Sequence, residues 1–215
     1  MDLVALLIDL SFGINMSQSF FENSYKRANN IEDLPWYRDY PPRFLTEVIQ
    51  ENKEPSRALD IGCGTGTYST IIAQAGYEVI GIDFVVAALD MARERAADAK
   101  VSIQFQQADA CDYLSQDPFD LVLDSGCLHS LKEKEKYRQN LLSWLQPGGQ
   151  FILVHFNKRH FFDWRPIGPH RWNREQVEEF LGSEFQFRDY HEEIGKVPFP
   201  VGPTALISTY WFERV

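Results

Sequence analysis

The chain has 215 residues, 44% of them hydrophobic and 24% charged, a composition typical of one folded domain with a core of its own. Its 31 acidic residues outnumber its 21 basic residues, which gives a formal net charge of −10. Because nucleic-acid binding depends on basic contacts to phosphates, this balance argues against a DNA or RNA partner.

The apolar N-terminus, residues 1–14, carries Asp2 and Asp9. It lacks a basic start and a cleavage site, and it is too short to span a bilayer. We therefore expect no membrane partner. Two interpretations stay open: a helix packed on the domain, or a misassigned start with Met16 as the alternative first residue.

A single domain is predicted over residues 1–215, and it begins with a partly helical, aromatic cap over residues 1–45. Prolines at positions 35, 41 and 42 prevent a long helix there. Helical spacing predicts a helix over 43–52 with one apolar face. The aromatic side chains of the cap are Phe20, Phe21, Tyr25, Trp36, Tyr37 and Tyr40.

From residue 57 onwards, short apolar runs alternate with helical patterns. Helices are predicted over 67–76, 85–99 and 133–145, and strands over 58–61, 78–83, 102–109, 119–126 and 150–156. This alternation indicates a parallel sheet with helices on both faces. Runs such as LVL and FILV are apolar throughout, as expected of strands that are covered on both sides.

The end of the chain departs from this alternation. A predicted helix over 174–181 is followed by β-like runs over 184–193 and 204–215, with no room for a helix between them. Such neighbours pair in the antiparallel sense. The sequence therefore predicts an α/β fold, a Rossmann-like and mostly parallel seven-stranded sheet with an antiparallel terminal strand pair and helices on both faces.

The strongest motif is LDIGCGTG at residues 59–66, where the first predicted strand ends. Its glycines let the backbone turn tightly and approach a ligand, at the edge where open α/β sheets bind ligands. The spacing is GxGxG after an acid, whereas dinucleotide sites show GxGxxG. Asp60 would repel a pyrophosphate but suits a cationic ligand.

Two further acids end the next two predicted strands. Asp83 closes EVIGID and can accept hydrogen bonds from both hydroxyls of a ribose. Asp109 in QADA can accept an adenine amino proton. Each acid alone also fits a surface or capping role, but three acids at successive strand ends together indicate a nucleoside-containing ligand.

These motifs resemble the class I S-adenosylmethionine-dependent methyltransferase superfamily over roughly residues 57–156, and the final helix and strands fit as well. LQPGGQFILVHF resembles the strand that follows the family's LxPGG turn. The resemblance implies that S-adenosyl-L-methionine is the cofactor. It places the glycine turn at the methionine moiety, Asp83 at the ribose, and Phe84, Asp109 and Ala110 at the adenine. The implied cofactor residues are Trp36, Asp60, Gly62, Cys63, Gly64, Gly66, Asp83, Phe84, Asp109, Ala110 and Asp124.

Two segments, residues 34–45 and 119–131, are similar to the small-molecule methyltransferases of the thiopurine, thiol and halide type. By this similarity Trp36 covers the methionine end of the cofactor; the alternative is a core aromatic. A thiolate acceptor needs no base, whereas an oxygen or nitrogen acceptor usually does. The candidate catalytic residues are Asp124 and His129, which follow the fourth strand. His129 is also a candidate substrate contact, or else a packing histidine.

Residues 155–175 are rich in basic side chains and follow the fifth strand. We expect either a cationic active-site lid for an anionic substrate or a solvated surface loop. No metal site is expected, because the spacing of His155, His160 and Asp163 gives no preformed pair. The candidate substrate-binding residues are Tyr37, Tyr40, His129, Arg165, His170 and Arg171.

The sequence therefore predicts S-adenosylmethionine-dependent methyl transfer to a sulfur, nitrogen or oxygen of a small molecule. The alternatives are a non-catalytic cofactor-binding protein and, less favoured, a nicotinamide-dependent oxidoreductase. Three cysteines without a CxxC pair favour the cytoplasm and argue against disulfides. The oligomeric state is left open.

Overall fold

A computed structural model describes residues 18–28, 30–38, 40–51, 56–158, 171–196 and 204–215. Its helices are α1 Gln18–Arg27, α2 Leu45–Glu51, α3 Thr67–Gln74, α4 Val86–Asp98, α5 Lys134–Trp144 and α6 Arg174–Leu181. Its strands are β1 Arg57–Ile61, β2 Glu78–Asp83, β3 Ile103–Gln107, β4 Phe119–Ser125, β5 Leu145–Asn157, β6 Phe185–Lys196 and β7 Thr204–Arg214.

The seven strands form one sheet in the order β3-β2-β1-β4-β5-β7-β6. Strands β1 to β5 are parallel, whereas β7 pairs antiparallel with both β5 and β6. The strand order reverses beside β1, whose neighbours are β2 and β4. In open α/β sheets such a switch point leaves a cleft outside the carboxyl ends of the strands. The predicted fold class is confirmed.

Alternating side chains of the apolar strands build a core on each face of the sheet. Leu121, Leu123 and Ile152 pack against residues of α2 and α3 on one face. Val122 and Phe151 pack on the other face against residues of α5 and α6. Helices on both faces explain why the central strands are apolar throughout their length.

Strand β5 begins at Leu145, five residues before the predicted start at 150. Phe119 pairs with Leu145, and the register then shifts so that Leu121 pairs with Gln150. The LQPGG segment is therefore an irregularity within the strand, not a turn in front of it. Leu145 is 3% exposed, and its burial beside β4 accounts for the earlier start.

The described part of the cap, residues 18–44, packs on helix α4. Tyr25 and Leu34 are buried in one cluster with Val85 and Ala88. The predicted boundaries of the cap and of the single domain stay predictions, and residues 1–17 and 159–170 lie outside the described residues. Within the described residues, no helix is both long and apolar enough to cross a membrane.

A matched pair of leucines tests the core. Leu123 is fully buried in β4, whereas Leu114 is 76% exposed. We expect Leu123→Ala to lower the free energy of unfolding by about 2–5 kcal/mol, because it leaves a cavity between sheet and helices. We expect Leu114→Ala to stay within about 0.5 kcal/mol of wild type. Urea denaturation followed by circular dichroism measures both; equal losses would contradict this packing.

Candidate active site

The turn after β1 needs glycine for two reasons. Gly64 and Gly66 have φ values of +53° and +69°, in the left-handed region that strains other residues. A Cβ on Gly64 would lie 2.8 Å from the Tyr25 hydroxyl, and a Cβ on Gly66 would lie 2.9 Å from the Ala92 Cβ. A side chain would therefore clash with the cap at position 64 and with helix α4 at position 66.

Asp83 ties the tip of β2 to this turn. Its carboxylate accepts the Gly64 N–H at 2.9 Å and the Val85 N–H at 2.8 Å. The side chain is 7% exposed, and burial raises its pKa, although the backbone hydrogen bonds act in the opposite direction. Asp83 therefore holds the turn's shape in addition to any contact that it makes with a ligand.

Asp60 lies beneath the same turn. It is 1% exposed and accepts a hydrogen bond from the Ser69 hydroxyl at 2.5 Å. Burial raises its pKa to about 7, and the negative charges of Asp124 and Asp83 add to the effect. Placing a cation nearby would favour its charged form, which agrees with the prediction that Asp60 suits a cationic ligand.

Aromatic side chains of the cap cover the turn. The Trp36 indole N–H donates to the Tyr25 hydroxyl at 3.2 Å. The Phe21 ring lies between those of Trp36 and Phe84, at centroid distances of 5.4 and 5.6 Å. The structure thus brings Trp36 and Phe84 together, and it adds Tyr25, which sequence reasoning missed. The four-residue spacing of Phe21 and Tyr25 on one helix face is the signal that could have found it.

Asp109 and Ala110 lie just beyond β3. The Asp109 carboxylate is exposed and accepts the Cys111 N–H at 2.7 Å. Ala110 is buried, and its carbonyl accepts a hydrogen bond from Asn140 at 3.2 Å. This tether fixes the loop after β3 beside the tip of β2, while the acid keeps an oxygen toward solvent.

The Asp124 side chain is fully buried. Its two oxygens accept the Cys127 N–H at 2.7 Å, the Leu128 N–H at 3.0 Å and the Tyr137 hydroxyl at 2.7 Å. Burial raises its pKa to about 6, and these donors act in the opposite direction. The predicted catalytic and cofactor roles stay predictions; the observed partners favour a carboxylate that holds the loop after β4.

His129 lies in that loop and is 5% exposed. Its ring is 4.7 Å from the Phe156 ring and 5.6 Å from the His155 ring, measured between centroids. Burial lowers its pKa well below the usual value, and the positive charges of nearby basic residues add to this effect. This lowered pKa keeps the imidazole neutral. No described residue hydrogen-bonds its Nδ1 atom, which is left as an unused acceptor or donor.

A cavity of about 230 Å³ opens at the carboxyl end of β4, on the face that carries α3. Ser125, Val154, Thr209 and His191 are successive partners across β4, β5, β7 and β6, so their side chains share this face. The lining residues are Arg38, Tyr40, Pro41, Pro42, Arg43, Tyr68, Ser125, Val154, His191, Glu193, Ile207 and Thr209.

Of the predicted substrate contacts, Tyr40 lines this cavity, whereas Tyr37, His129 and Arg171 do not. Arg171 is buried at 8% exposure, and its positive charge acts on His129. Arg165 and His170 lie outside the described residues. In the part of the chain that the structure describes, no cluster of side chains could hold a metal ion.

Sequence reasoning missed the far wall of the cavity, which the terminal hairpin supplies through His191 and Glu193. The two residues alternate with outward side chains along β6, and this period of two places them on one face. That alternation was visible in the sequence, but the cavity it faces depends on the pairing with β7.

A family model for a methyltransferase domain matches residues 52–187, which is more than half of the chain. The chain belongs to the class I S-adenosylmethionine-dependent methyltransferases. The structural neighbours agree in fold. A methyltransferase of Methanosarcina mazei matches 83% of this chain and 99% of that one, with a TM-score of 0.68 and 19% identity. The 1,6-didemethyltoxoflavin-N1-methyltransferase of Burkholderia thailandensis matches 75% of this chain and 72% of that one, with a TM-score of 0.60 and 20% identity.

Three curated relatives are informative. The 2-heptyl-1-hydroxyquinolin-4(1H)-one methyltransferase of Mycobacteroides abscessus is 27% identical and covers 80% of this chain and 78% of its own. Demethylmenaquinone methyltransferase of Clavibacter sepedonicus is 38% identical over 63% of this chain and 54% of its own. The human probable tRNA methyltransferase 9B is 25% identical over 77% of this chain. The chain spans about half and about a third, respectively, of these last two relatives.

S-adenosylmethionine is the cofactor of this methyltransferase, and the turn fits it. The left-handed glycines leave a cradle that a Cβ at Gly64 would fill. The acids Asp60 and Asp83 border the cradle with carboxylates, which suit a sulfonium ligand that carries a ribose and an amino group. The donor set therefore agrees with the cofactor that the family uses.

The buried carboxyl of Asp60 makes stability depend on pH. Its folded pKa of about 7 exceeds the ordinary value of about 4, so between these values the folded state holds a proton that the unfolded chain has released. The free energy of unfolding therefore falls as the pH rises from about 4 to about 7. We expect Asp60→Asn to show a shallower fall, because it cannot ionise.

Urea midpoints measured from pH 4 to 8 test this expectation. Asp90→Asn is the matched control, since the Asp90 side chain is 64% exposed and should follow wild type. Asp124 contributes in the same range, so the slope should shrink but not vanish. Parallel curves for Asp60→Asn and wild type would show that the Asp60 carboxyl does not titrate in this way.

Proposed function

We propose that this methyltransferase transfers the methyl group to a ring oxygen or nitrogen of a small planar molecule. The observation that carries the proposal is the cavity beside Ser125, which lies at the sheet edge where the glycine turn begins and is walled in part by proline, valine and isoleucine. Two relatives are named for a heptyl-substituted hydroxyquinolinone and for demethylmenaquinone, and both compounds contain a fused planar ring system.

The cofactor is proposed to lie along the carboxyl ends of β1 to β4. The turn of residues 62–66, with Cys63 at its centre and Asp60 beneath it, holds the methionine moiety. Asp83 binds the ribose, while Phe84, Asp109 and Ala110 border the adenine. Trp36 covers the methionine end, supported by its hydrogen bond to Tyr25 above Gly64.

The bound cofactor supplies an electrophilic methyl group, so the chain has to orient the acceptor and exclude water. The aromatic cap and the cavity walls supply that enclosure. His129 is the proposed base for an oxygen or nitrogen acceptor, because it is neutral and lies four residues after Ser125, which lines the cavity. The role proposed for Asp124 is to hold His129 and the loop in place through the N–H groups of Cys127 and Leu128.

A tRNA acceptor is the competing function, since one relative is named as a probable tRNA methyltransferase. The net charge of −10 opposes it, and a cavity of about 230 Å³ suits a small ring better than a polynucleotide. A cytoplasmic location stays part of the proposal. It is supported by free cysteines at positions 63, 111 and 127.

Turnover with the radiolabelled methyl donor tests the proposal directly. We expect labelled product from hydroxylated quinolines and reduced naphthoquinones, and none from total tRNA. Methylation of tRNA in preference to every ring compound would overturn the proposed acceptor class. A complete lack of turnover, despite tight binding of S-adenosylhomocysteine, would favour the non-catalytic alternative.

Asp83→Ala should weaken binding of S-adenosylhomocysteine by about 1–3 kcal/mol, because it removes a charged acceptor for the ribose hydroxyls and loosens Gly64. Isothermal titration calorimetry gives the dissociation constants, with Asp98→Ala, an exposed acid of α4, as the control. NADH should not bind wild type. An unchanged constant in a folded Asp83→Ala variant would remove Asp83 from the cofactor site.

His129→Asn should lower kcat for a ring hydroxyl acceptor by about 100-fold or more, as expected for the loss of a general base. An aromatic thiol with the same ring system is ionised at pH 8 and needs no base. Its kcat in His129→Asn should therefore stay within a few-fold of the wild-type value. The S-adenosylhomocysteine affinity should not change. If both acceptors slow down equally, His129 acts through the structure of the loop and not as the base.

A further inference from the structure

The cavity has polar groups at two opposite ends. At the β4 end, Tyr68 and Ser125 line the cavity. Ser125 follows Asp124, which pairs with Ile61 at the end of β1, so this end lies beside the start of the glycine turn. At the β6 end stand Glu193 and His191. Three strand spacings separate β4 from β6, which amounts to about 14 Å. Apolar side chains such as Val154 and Ile207 line the sheet between these ends.

The far end is built around the Glu193 carboxylate. Its Oε1 atom accepts hydrogen bonds from Arg38 Nη1 at 2.6 Å and from the Tyr40 hydroxyl at 3.0 Å. Arg38 Nη1 also donates to the Tyr40 hydroxyl at 3.0 Å. Both donors belong to the cap, so this contact joins residues 155 positions apart. The carboxylate is held in one orientation, which leaves Oε2 to accept a further donor.

The charges of this end are compensated within the protein. Arg38 pairs with Glu193 at 2.6 Å, and Arg43 pairs with Glu47 at 2.5 Å. Neither guanidinium is left without an acid, so the cavity offers no excess positive charge to an anionic ring substituent. A neutral ligand that carries a hydrogen-bond donor is the better match for a fixed carboxylate oxygen.

We propose that Glu193, fixed by Arg38 and Tyr40, is a specificity-determining residue that accepts a hydrogen bond from the acceptor molecule. The acceptor is then a neutral planar molecule of more than one ring, long enough to place its nucleophilic oxygen at the Ser125 end and a ring N–H beside Glu193. The proposal rests on the proposed function, because it assigns the cavity to the methyl acceptor.

Two isosteric probes isolate this contact. 4-(1H-benzimidazol-2-yl)phenol carries its hydroxyl and its ring N–H on separate rings, whereas 4-(1,3-benzothiazol-2-yl)phenol keeps the hydroxyl and has a sulfur in place of the N–H. Dissociation constants are measured by calorimetry in the presence of saturating S-adenosylhomocysteine. Wild type should bind the benzimidazole more tightly than the benzothiazole.

In Glu193→Gln an amide NH₂ group replaces Oε2. This donor then faces the ring N–H of the ligand, which is also a donor. The variant should weaken benzimidazole binding about tenfold, the scale of one charge-assisted hydrogen bond, and change benzothiazole binding less than twofold. Glu192→Gln is the matched control, since Glu192 is exposed on the other face and hydrogen-bonds Tyr190; it should change neither. The Arg38–Glu193 pair is partly exposed and contributes little to stability, so the variant should fold.

The proposal is overturned if Glu193→Gln weakens both probes equally or neither, or if wild type binds neither probe. Methyl transfer to the same probes separates it from the proposed function. If the benzimidazole binds through Glu193 but is not methylated, the proposed function fails and the recognition role stands. If both probes are methylated with the same kcat/KM ratio in wild type and Glu193→Gln, the recognition role fails and the proposed function stands.

Discussion

The site depends on carboxylates that are buried where parallel strands end. Asp60, Asp83 and Asp124 are each less than 10% exposed, and burial raises the pKa of each. Asp83 and Asp124 offset that cost by accepting backbone N–H groups of the turns that follow β1, β2 and β4. Asp83 and Asp124 therefore shape the backbone of these turns, and a side chain without an acceptor, such as alanine, in their place would leave those N–H groups unsatisfied.

The half of the molecule that binds the cofactor could be predicted from the sequence, because its signals are local. The glycines at 62, 64 and 66 and the acid at 83 follow directly from strand ends, and the strand order makes those ends meet at one edge. The alternation of strands and helices is also a local signal, and it predicted the parallel sheet. Tyr25 escaped prediction because its partner, the Gly64 backbone, is far away in sequence.

The cavity was less predictable because it depends on pairing between distant segments. His191 faces it only through the register of β6 with β7 and of β7 with β5. A shift of one residue in either ladder would turn His191 and Glu193 to the opposite face. The early start of β5 at Leu145 was unpredictable for the same reason, because it depends on pairing with β4. The register shift opposite Phe119 has no local marker in the sequence beyond a proline and two glycines.

The two halves of the site are consequently under separate structural control. The proposed cofactor contacts come mainly from turns within residues 60–110, which close on themselves through bonds such as Gly64 N–H to Asp83. The far end of the acceptor cavity comes from the cap and the terminal hairpin, which meet through Arg38 and Glu193. Because that pair is partly exposed and outside the main core, side chains there can change with little effect on the sheet or the glycine turn. Acceptor choice can thus vary while the chemistry at the methyl group stays the same.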